Sequence, residues 1–270
     1  MKRRLLLSVA GVSLLTASAG CGPAPDPAGD INAGATPEPP ASPGPAAPPA
    51  PSPSPTPLNV ASPSLAPPTR KPRLAAPPLF SLPSEDKLVA LTLDDGPDPT
   101  HTPTVLKILH DYGIRATFFL VGENVSAHRS LVTDIAQQGH HIANHTWSHP
   151  DLRQLSATAV RDQLERTSDL LQELTGKPPT WFRAPGGDFS NNALSACADL
   201  GMRPMGWSVD PRDWARPGTA KITSRVLEEI GPGSIVLNHD GGGDRSQTVA
   251  ALKTYLPVLL DGGYRFTAPR

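Results

Sequence analysis

The sequence predicts an α/β barrel of parallel strands carried behind a long proline-rich tether. Three observations lead there. From Lys87 onward, short apolar runs of strand type alternate with segments of helical period, the pattern of parallel strands joined by helices. Every polar cluster falls just after a strand: Asp94-Asp95, His145 and His149, Arg183, Asp210 and Asp213, and His239. Barrel enzymes gather their chemistry at the C-terminal ends of many strands, whereas an open sheet gathers it at one switch point, so the barrel is preferred. Composition sets the third: 21 of the 34 prolines and only one aromatic residue, Phe80, lie before residue 85. Such a stretch buries too little apolar surface to offset its ordering entropy. Residues 85–270 hold the other aromatics and suffice for one domain with a sizeable core.

In order, Leu88–Leu93 is an apolar run ended by Asp94-Asp95-Gly96-Pro97. A helical pattern around Val105–Leu109 stops near Gly113, and Ala116–Val121 is the second strand. A helix near Leu131–Gln138 leads to a weaker third strand, His141–Asn144. The longest helix runs from Ser156, a suitable N-cap, to Thr175, closed by Gly176 and Pro178-Pro179. A fourth strand is expected at Thr180–Arg183, then a helix over Asn191–Leu200 and a fifth strand at Met205–Val209. A helix over Thr219–Ile230, a strand at Ser234–Leu237, a helix from Ser246 and a seventh strand at Tyr264–Thr267 complete the count.

The first 21 residues read as an export signal, with Lys2-Arg3-Arg4 before an apolar segment, Leu5–Leu15, too short to span a membrane. Ala17-Ser18-Ala19 suits a general signal peptidase. Ser18-Ala19-Gly20-Cys21 resembles a bacterial lipobox, with Ser18 where Leu is usual. Lipidation of Cys21 is preferred because that residue ends the apolar segment and a tether follows. The chain is then exported and anchored at the outer face of the cell membrane, or otherwise secreted. Residues 22–84 form a Pro/Ala-rich linker, about 190 Å long if fully in polyproline form and roughly 40–50 Å as a coil. Cys197, the one other cysteine, reads as a buried, unreactive thiol in a helix, so no disulfide is expected. A net charge of −1 argues against a nucleic-acid surface.

The chemistry-bearing residues begin with two pairs. His145 and His149, four apart, would project from one side of a helical turn and reach one ion. Asp94 and Asp95 supply one carboxylate for a third ligand and another as a base beside it. Imidazole and carboxylate suit a divalent cation of zinc type, with a position left open for water; cobalt, nickel and manganese suit the same set.

Five motifs in order resemble the NodB-homology polysaccharide deacetylases, the fourth carbohydrate esterase family. They are Thr92-Leu93-Asp94-Asp95-Gly96-Pro97, His145-Thr146-Trp147-Ser148-His149, Arg183-Ala184-Pro185-Gly186-Gly187, Asp210-Pro211-Arg212-Asp213-Trp214 and Val236-Leu237-Asn238-His239-Asp240. Leu93 stands where the family commonly has Phe, and Gly186 where many members have an aromatic residue. The resemblance covers about residues 86–270. It implies a distorted (β/α)7-type barrel that hydrolyses N-acetyl groups on an aminosugar polymer, peptidoglycan or chitooligosaccharide. It also divides the aspartates: Asp95 joins His145 and His149 on the metal, and Asp94 is the general base, held by Arg183. It implies His239 as general acid, oriented by Asp213. Gly186 offers a backbone N–H to the oxyanion, and Trp214 and Leu237 wall the acetyl pocket. Asp210 has either a site role or a turn role, and Asp240 reads as loop. His101 is a cleft candidate, and His140 and His141 have no catalytic role. Two other readings stand beside this one: an acetyl-ester hydrolase on xylan, and a non-catalytic wall-binding lipoprotein. Membrane contact is expected only through the lipid anchor.

Overall fold

The structure is a computed structural model that describes residues 75–269; the signal segment, Cys21 and most of the linker lie outside the described residues. Seven strands, β1 (Leu88–Asp94), β2 (Thr117–Leu120), β3 (His141–Asn144), β4 (Trp181–Phe182), β5 (Arg203–Pro204), β6 (Ile235–His239) and β7 (Arg265–Phe266), alternate with helices. These are α1 (Thr102–Asp111), α2 (Gly122–Ala127), α3 (Arg129–Gln137), α4 (Ala157–Thr175), α5 (Asn191–Asp199), α6 (Thr219–Glu229) and α7 (Ser246–Asp261). All strand pairs are parallel, in the order β5-β4-β3-β2-β1-β6, with β7 on the first residues of β1. The sheet curls into a distorted (β/α)7 barrel. Val209, past β5, bridges to Val236 of β6 and brings the two ends of the sheet together.

Register carries the function. Leu91 and Leu93 of β1 face the helix layer, in one cluster with Val105 and Leu109 of α1 and Leu252, Tyr255 and Leu256 of α7. Ala90 faces the other way, into a cluster with Phe119, Ala143, Trp181, Met205 and Ile235. Side chains two apart share a face. Thr92 and Asp94 therefore follow Ala90 inward, and pairing places Leu237 and His239 beside them. By the same count, His145 lies two beyond inward Ala143, and Arg183 two beyond inward Trp181. Four of the expected site residues thus sit at strand ends on one interior face.

Three features differ from the sequence expectation. The fifth strand does not run over Met205–Val209: only Arg203–Pro204 pairs with β4, while Met205 bridges to Leu79 and Val209 to Val236. Met205 N–H still donates to the Phe182 carbonyl at 2.9 Å, but β4 ends at Phe182, and the Gly206 N–H turns to the Leu79 carbonyl at 2.8 Å. The helix expected near Leu131–Gln138 is preceded by a second, α2, and His128 between them is non-helical (φ −131°, ψ 51°). Residues 79–82, expected in the linker, pair with the barrel: Leu79 N–H donates to the Pro204 carbonyl at 3.0 Å, and Leu82 N–H to that of Gly233 at 2.7 Å. Leu79 and Leu82 pack on the inner cluster. Apolar side chains spaced among prolines carry no periodicity, so that contact had no sequence signal. Ser156 caps α4 as expected, its hydroxyl accepting from the Ala159 N–H at 3.2 Å, and Gly176 ends it at φ 72°.

Candidate active site

Asp94 closes β1 and is 3% exposed. Its Oδ1 accepts a 2.7 Å bond from Nη1 of Arg183, which is fully buried. The guanidinium is fixed on every side. It donates to Thr92 Oγ1 at 2.8 Å, the Gly206 carbonyl at 2.8 Å and the Met205 carbonyl at 3.2 Å, and it stacks 4.1 Å from the Phe119 ring centroid. A buried guanidinium so satisfied is a fixed charge that holds one carboxylate oxygen and leaves the other free.

Asp95 turns away from the strand in a left-handed conformation, φ 70°. Its Oδ1 lies 3.5 Å from His145 Nε2 and 3.3 Å from His149 Nε2. That oxygen is buried and accepts no hydrogen bond. Burial pushes the Asp95 carboxyl up, but the imidazoles of His145, His239 and His149 outweigh this and hold it at about 2. His145 Nδ1 donates to the Arg183 carbonyl at 2.8 Å, which fixes the tautomer and turns Nε2 toward the carboxylates. Burial opposes charge on His145, yet Asp94 and Asp95 together raise its pKa. The point where Asp95 and the two imidazoles meet thus attracts positive charge.

His145 and His149 do not share a helical turn. They lie on a loop after β3 in which Thr146 (φ 70°) and His149 (φ 55°) are left-handed. Side chains replace helical hydrogen bonds there. Asn144 Oδ1 accepts from the Thr146 N–H at 2.8 Å, and Gln163 Oε1 of α4 accepts from the N–H groups of Trp147 and Ser148, both at 2.9 Å. The three candidate ligand atoms of Asp95, His145 and His149 lie within 4.8 Å of one another. Two imidazole nitrogens and an orphaned carboxylate oxygen fit a divalent cation of the zinc type.

His239 ends β6. Its Nδ1 is 2.7 Å from Asp213 Oδ1, and its backbone N–H donates to Asp213 Oδ2 at 2.8 Å; Thr248 donates to the same oxygen at 2.8 Å. Burial pushes the imidazole pKa down, but the bond to Asp213 and the charges of Asp213, Asp94 and Asp95 carry it up to about 9.

Asp94, Asp95, His145, His149 and His239 line one cavity of about 340 Å³ together with Ala184, Gly186, Trp207, Asp210, Trp214 and Leu237, while Arg183 and Asp213 stand behind it. Leu237 is buried, and Trp214 is 53% exposed at the rim. A groove of about 430 Å³ continues from it past His149, Gly186, Arg153 and Asp188, room for a neighbouring part of an extended substrate. Asp210 lines the cavity and also accepts a 2.8 Å bond from the Arg212 N–H, so its site and turn readings are compatible. Sequence reasoning missed Trp207, a wall residue 5.5 Å from the Arg183 guanidinium, which no motif spacing marked. Asp240 lies in the loop after β6, as expected, but its burial had no sequence signal. Asp240 is fully buried, its Oδ2 accepting from Thr102 at 2.6 Å. Burial, then the charges of Asp95, Asp94 and Asp98, push its carboxyl up to about 7. His101 does not line the cavity; its Nδ1 bonds to Asp98 at 2.9 Å, and its Nε2 accepts from the Arg245 N–H at 3.2 Å. Cys197 is buried, and burial pushes its thiol up to about 12, as an unreactive core thiol requires.

The sequence profile of the polysaccharide deacetylases matches residues 81–205. A peptidoglycan-N-acetylglucosamine deacetylase of Bacillus cereus is 42% identical over 194 residues, covering 69% of this chain and 88% of that protein. The chain belongs to the polysaccharide deacetylase family. A chitooligosaccharide deacetylase of a Bradyrhizobium strain is 40% identical over 193 residues, covering 67% of this chain and 88% of that protein. Among solved structures, a peptidoglycan N-acetylglucosamine deacetylase superposes with a TM-score of 0.68 at 38% identity, covering 70% of this chain and 89% of that one. A pseudoenzyme of the same esterase family from Bacillus anthracis reaches 0.67 at 32% identity, covering 72% and 67%. The polysaccharide deacetylase fold thus carries active and inactive members, and activity has to be argued from the residues in the cavity. The family is metal-dependent, and this chain retains an Asp/His/His group able to hold an ion.

Proposed function

We propose that this chain is a metal-dependent hydrolase that removes N-acetyl groups from an aminosugar polymer, peptidoglycan or chitooligosaccharide, releasing acetate. The observation that carries it is the convergence of two proton carriers on one cavity: a carboxylate held by a buried Arg, and an imidazole whose bond to a buried Asp favours its protonated form. Asp95, His145 and His149 would hold one divalent cation, best suited by zinc, with cobalt, nickel or manganese able to substitute. Such a cation, when bound, polarises a carbonyl and lowers the pKa of water.

The residues of the chain then divide the work. Asp94 accepts the proton of the attacking water, with Arg183 fixing its orientation. Gly186 offers its backbone N–H to the developing oxyanion. Leu237 and Trp214 enclose the acetyl methyl group. His239, with Nδ1 engaged by Asp213, donates the Nε2 proton to the amide nitrogen as the C–N bond breaks. Acetate and a free amine leave, and no covalent enzyme intermediate is needed.

Acetate release from chitooligosaccharide, peptidoglycan and acetylxylan, with and without a chelator, tests this. The expected result is release from an N-acetylated glycan that falls at least about 100-fold on chelation and returns with zinc. Release from acetylxylan alone would replace the amidase reading with an esterase one. The full chain is further proposed to act at the outer face of a bacterial membrane, tethered through lipidated Cys21. Labelled palmitate should enter the wild type and not Cys21→Ser; equal labelling of both excludes that anchor.

A further inference from the structure

Arg245 lies outside the five motifs and is 5% exposed. Among the described residues it makes no ion pair. Its guanidinium goes instead to three backbone carbonyls: Nε to Gly241 at 2.6 Å, Nη2 to Gly242 at 2.7 Å and Nη1 to Trp214 at 3.3 Å. Its own N–H is held by His101 Nε2 at 3.2 Å, which ties the clamp to the start of α1. A buried cation with carbonyl partners alone fixes backbone rather than neutralising a charge.

The backbone it fixes is the roof over Asp95. A Cβ on Gly241 would stand 2.2 Å from the Asp95 carbonyl oxygen, and one on Gly242 would stand 2.5 Å from Asp95 Oδ2. The glycine loop therefore lies directly on this residue. With Oδ2 against Gly242, Oδ1 is the oxygen turned to His145 and His149. Asp95 also sits at φ 70°, a left-handed conformation uncommon for a non-glycine residue. Asn124 holds the Asp95 carbonyl from one direction at 2.8 Å, and the glycine loop closes the other.

We infer that Arg245 is a positioning residue for the metal site: by clamping Gly241 and Gly242 it seats Asp95 in the rotamer and backbone conformation that present Oδ1 to an ion. The inference rests on the reading of Asp95, His145 and His149 as ligands. It assigns the Asp240-Gly241-Gly242-Gly243-Asp244 segment a role in metal retention, and through the Trp214 carbonyl it joins that role to the rim of the acetyl pocket.

Zinc affinity of the chelator-stripped full chain, measured by competition with a chromophoric chelator, tests it, with the cobalt absorption spectrum as a second readout. Arg245→Met is expected to bind zinc at least tenfold more weakly and to shift the cobalt bands, with circular dichroism unchanged. Arg245→Lys, which keeps the charge and a donor, should recover part of the affinity. Asp95→Ala separates the two ideas. If it binds zinc like the wild type, the ligand reading itself fails. If it loses zinc while folded Arg245→Met stays within twofold of wild type, the clamp is overturned and the ligand reading stands. Should Arg245→Met not fold, Gly241→Ala decides with the guanidinium intact: a tenfold loss supports the clamp, and wild-type affinity overturns it.

Discussion

Asp94→Asn is expected to lower turnover on an N-acetylated glycan by about 10³-fold while leaving zinc affinity within a few-fold of wild type. The substitution preserves shape and removes only the ability to accept a proton. Asp94 Oδ2 lies 3.6 Å from His145 Nε2, slightly farther than the Asp95 oxygen at 3.5 Å, and Asp94 is not among the three grouped ligand atoms. Asp95→Ala should do the opposite, losing the ion first and activity as a consequence. The pair of variants therefore resolves which aspartate serves the proton and which the cation. Stability needs checking, because Arg183 would remain buried with its charge partner gone, and breaking a buried pair typically costs about 3–5 kcal/mol. Here the guanidinium keeps acceptors at Thr92, Met205 and Gly206, which softens that cost. Thermal unfolding followed beside kcat separates the two effects. Turnover of a folded Asp94→Asn within tenfold of wild type removes Asp94 from the role of base.

The second large effect is on the acid. His239→Ala should reduce kcat by about 10²–10⁴-fold, since the amine would have to leave without a proton. Asp213→Asn should act more subtly. Asp213 raises the pKa of His239, so its loss lets burial pull that pKa back down, and the alkaline limb of kcat should move to lower pH. The same linkage acts on stability. A histidine raised from 6.5 to about 9 in the folded state contributes stability that is complete below 6.5 and is lost as pH rises through 9. Denaturant unfolding of chelator-treated protein at both ends of that window should show a greater loss for wild type than for Asp213→Asn. The difference is on the order of 3 kcal/mol. An unmoved alkaline limb in Asp213→Asn would mean that another group sets it.

Much of the site was legible in the sequence because its residues come in short local patterns. Asp94-Asp95 closing a strand, two histidines four apart, and Arg183, Asp213 and His239 each past a strand end need only local spacing to be found. Their gathering on one face follows from the two-residue period of a strand and the parallel order of the sheet. What local spacing could not supply was contact between distant segments. Trp207 forms a cavity wall through tertiary packing, the loop residue Asp240 is buried under the site, and Leu79 and Leu82 leave the linker to pack on the barrel. The histidine pair shows the difference most sharply. Four-residue spacing suggested a helix, yet two left-handed residues and the side chains of Asn144 and Gln163 bring the imidazoles together by another route.

The amino-acid sequence by itself thus determined the alternation of strands and helices, the family and the set of candidate side chains, because periodicity and motif spacing are properties of neighbouring residues. Only the tertiary structure decided the state of those side chains. Arg183 takes one oxygen of Asp94, Asp213 lifts His239, and the Gly241–Gly242 backbone, held by Arg245, turns one oxygen of Asp95 toward two imidazoles. Arg183, Asp213 and the Gly241–Gly242 backbone each lie more than 20 residues along the chain from the side chain they act on, and burial in a common interior is what makes the interaction strong.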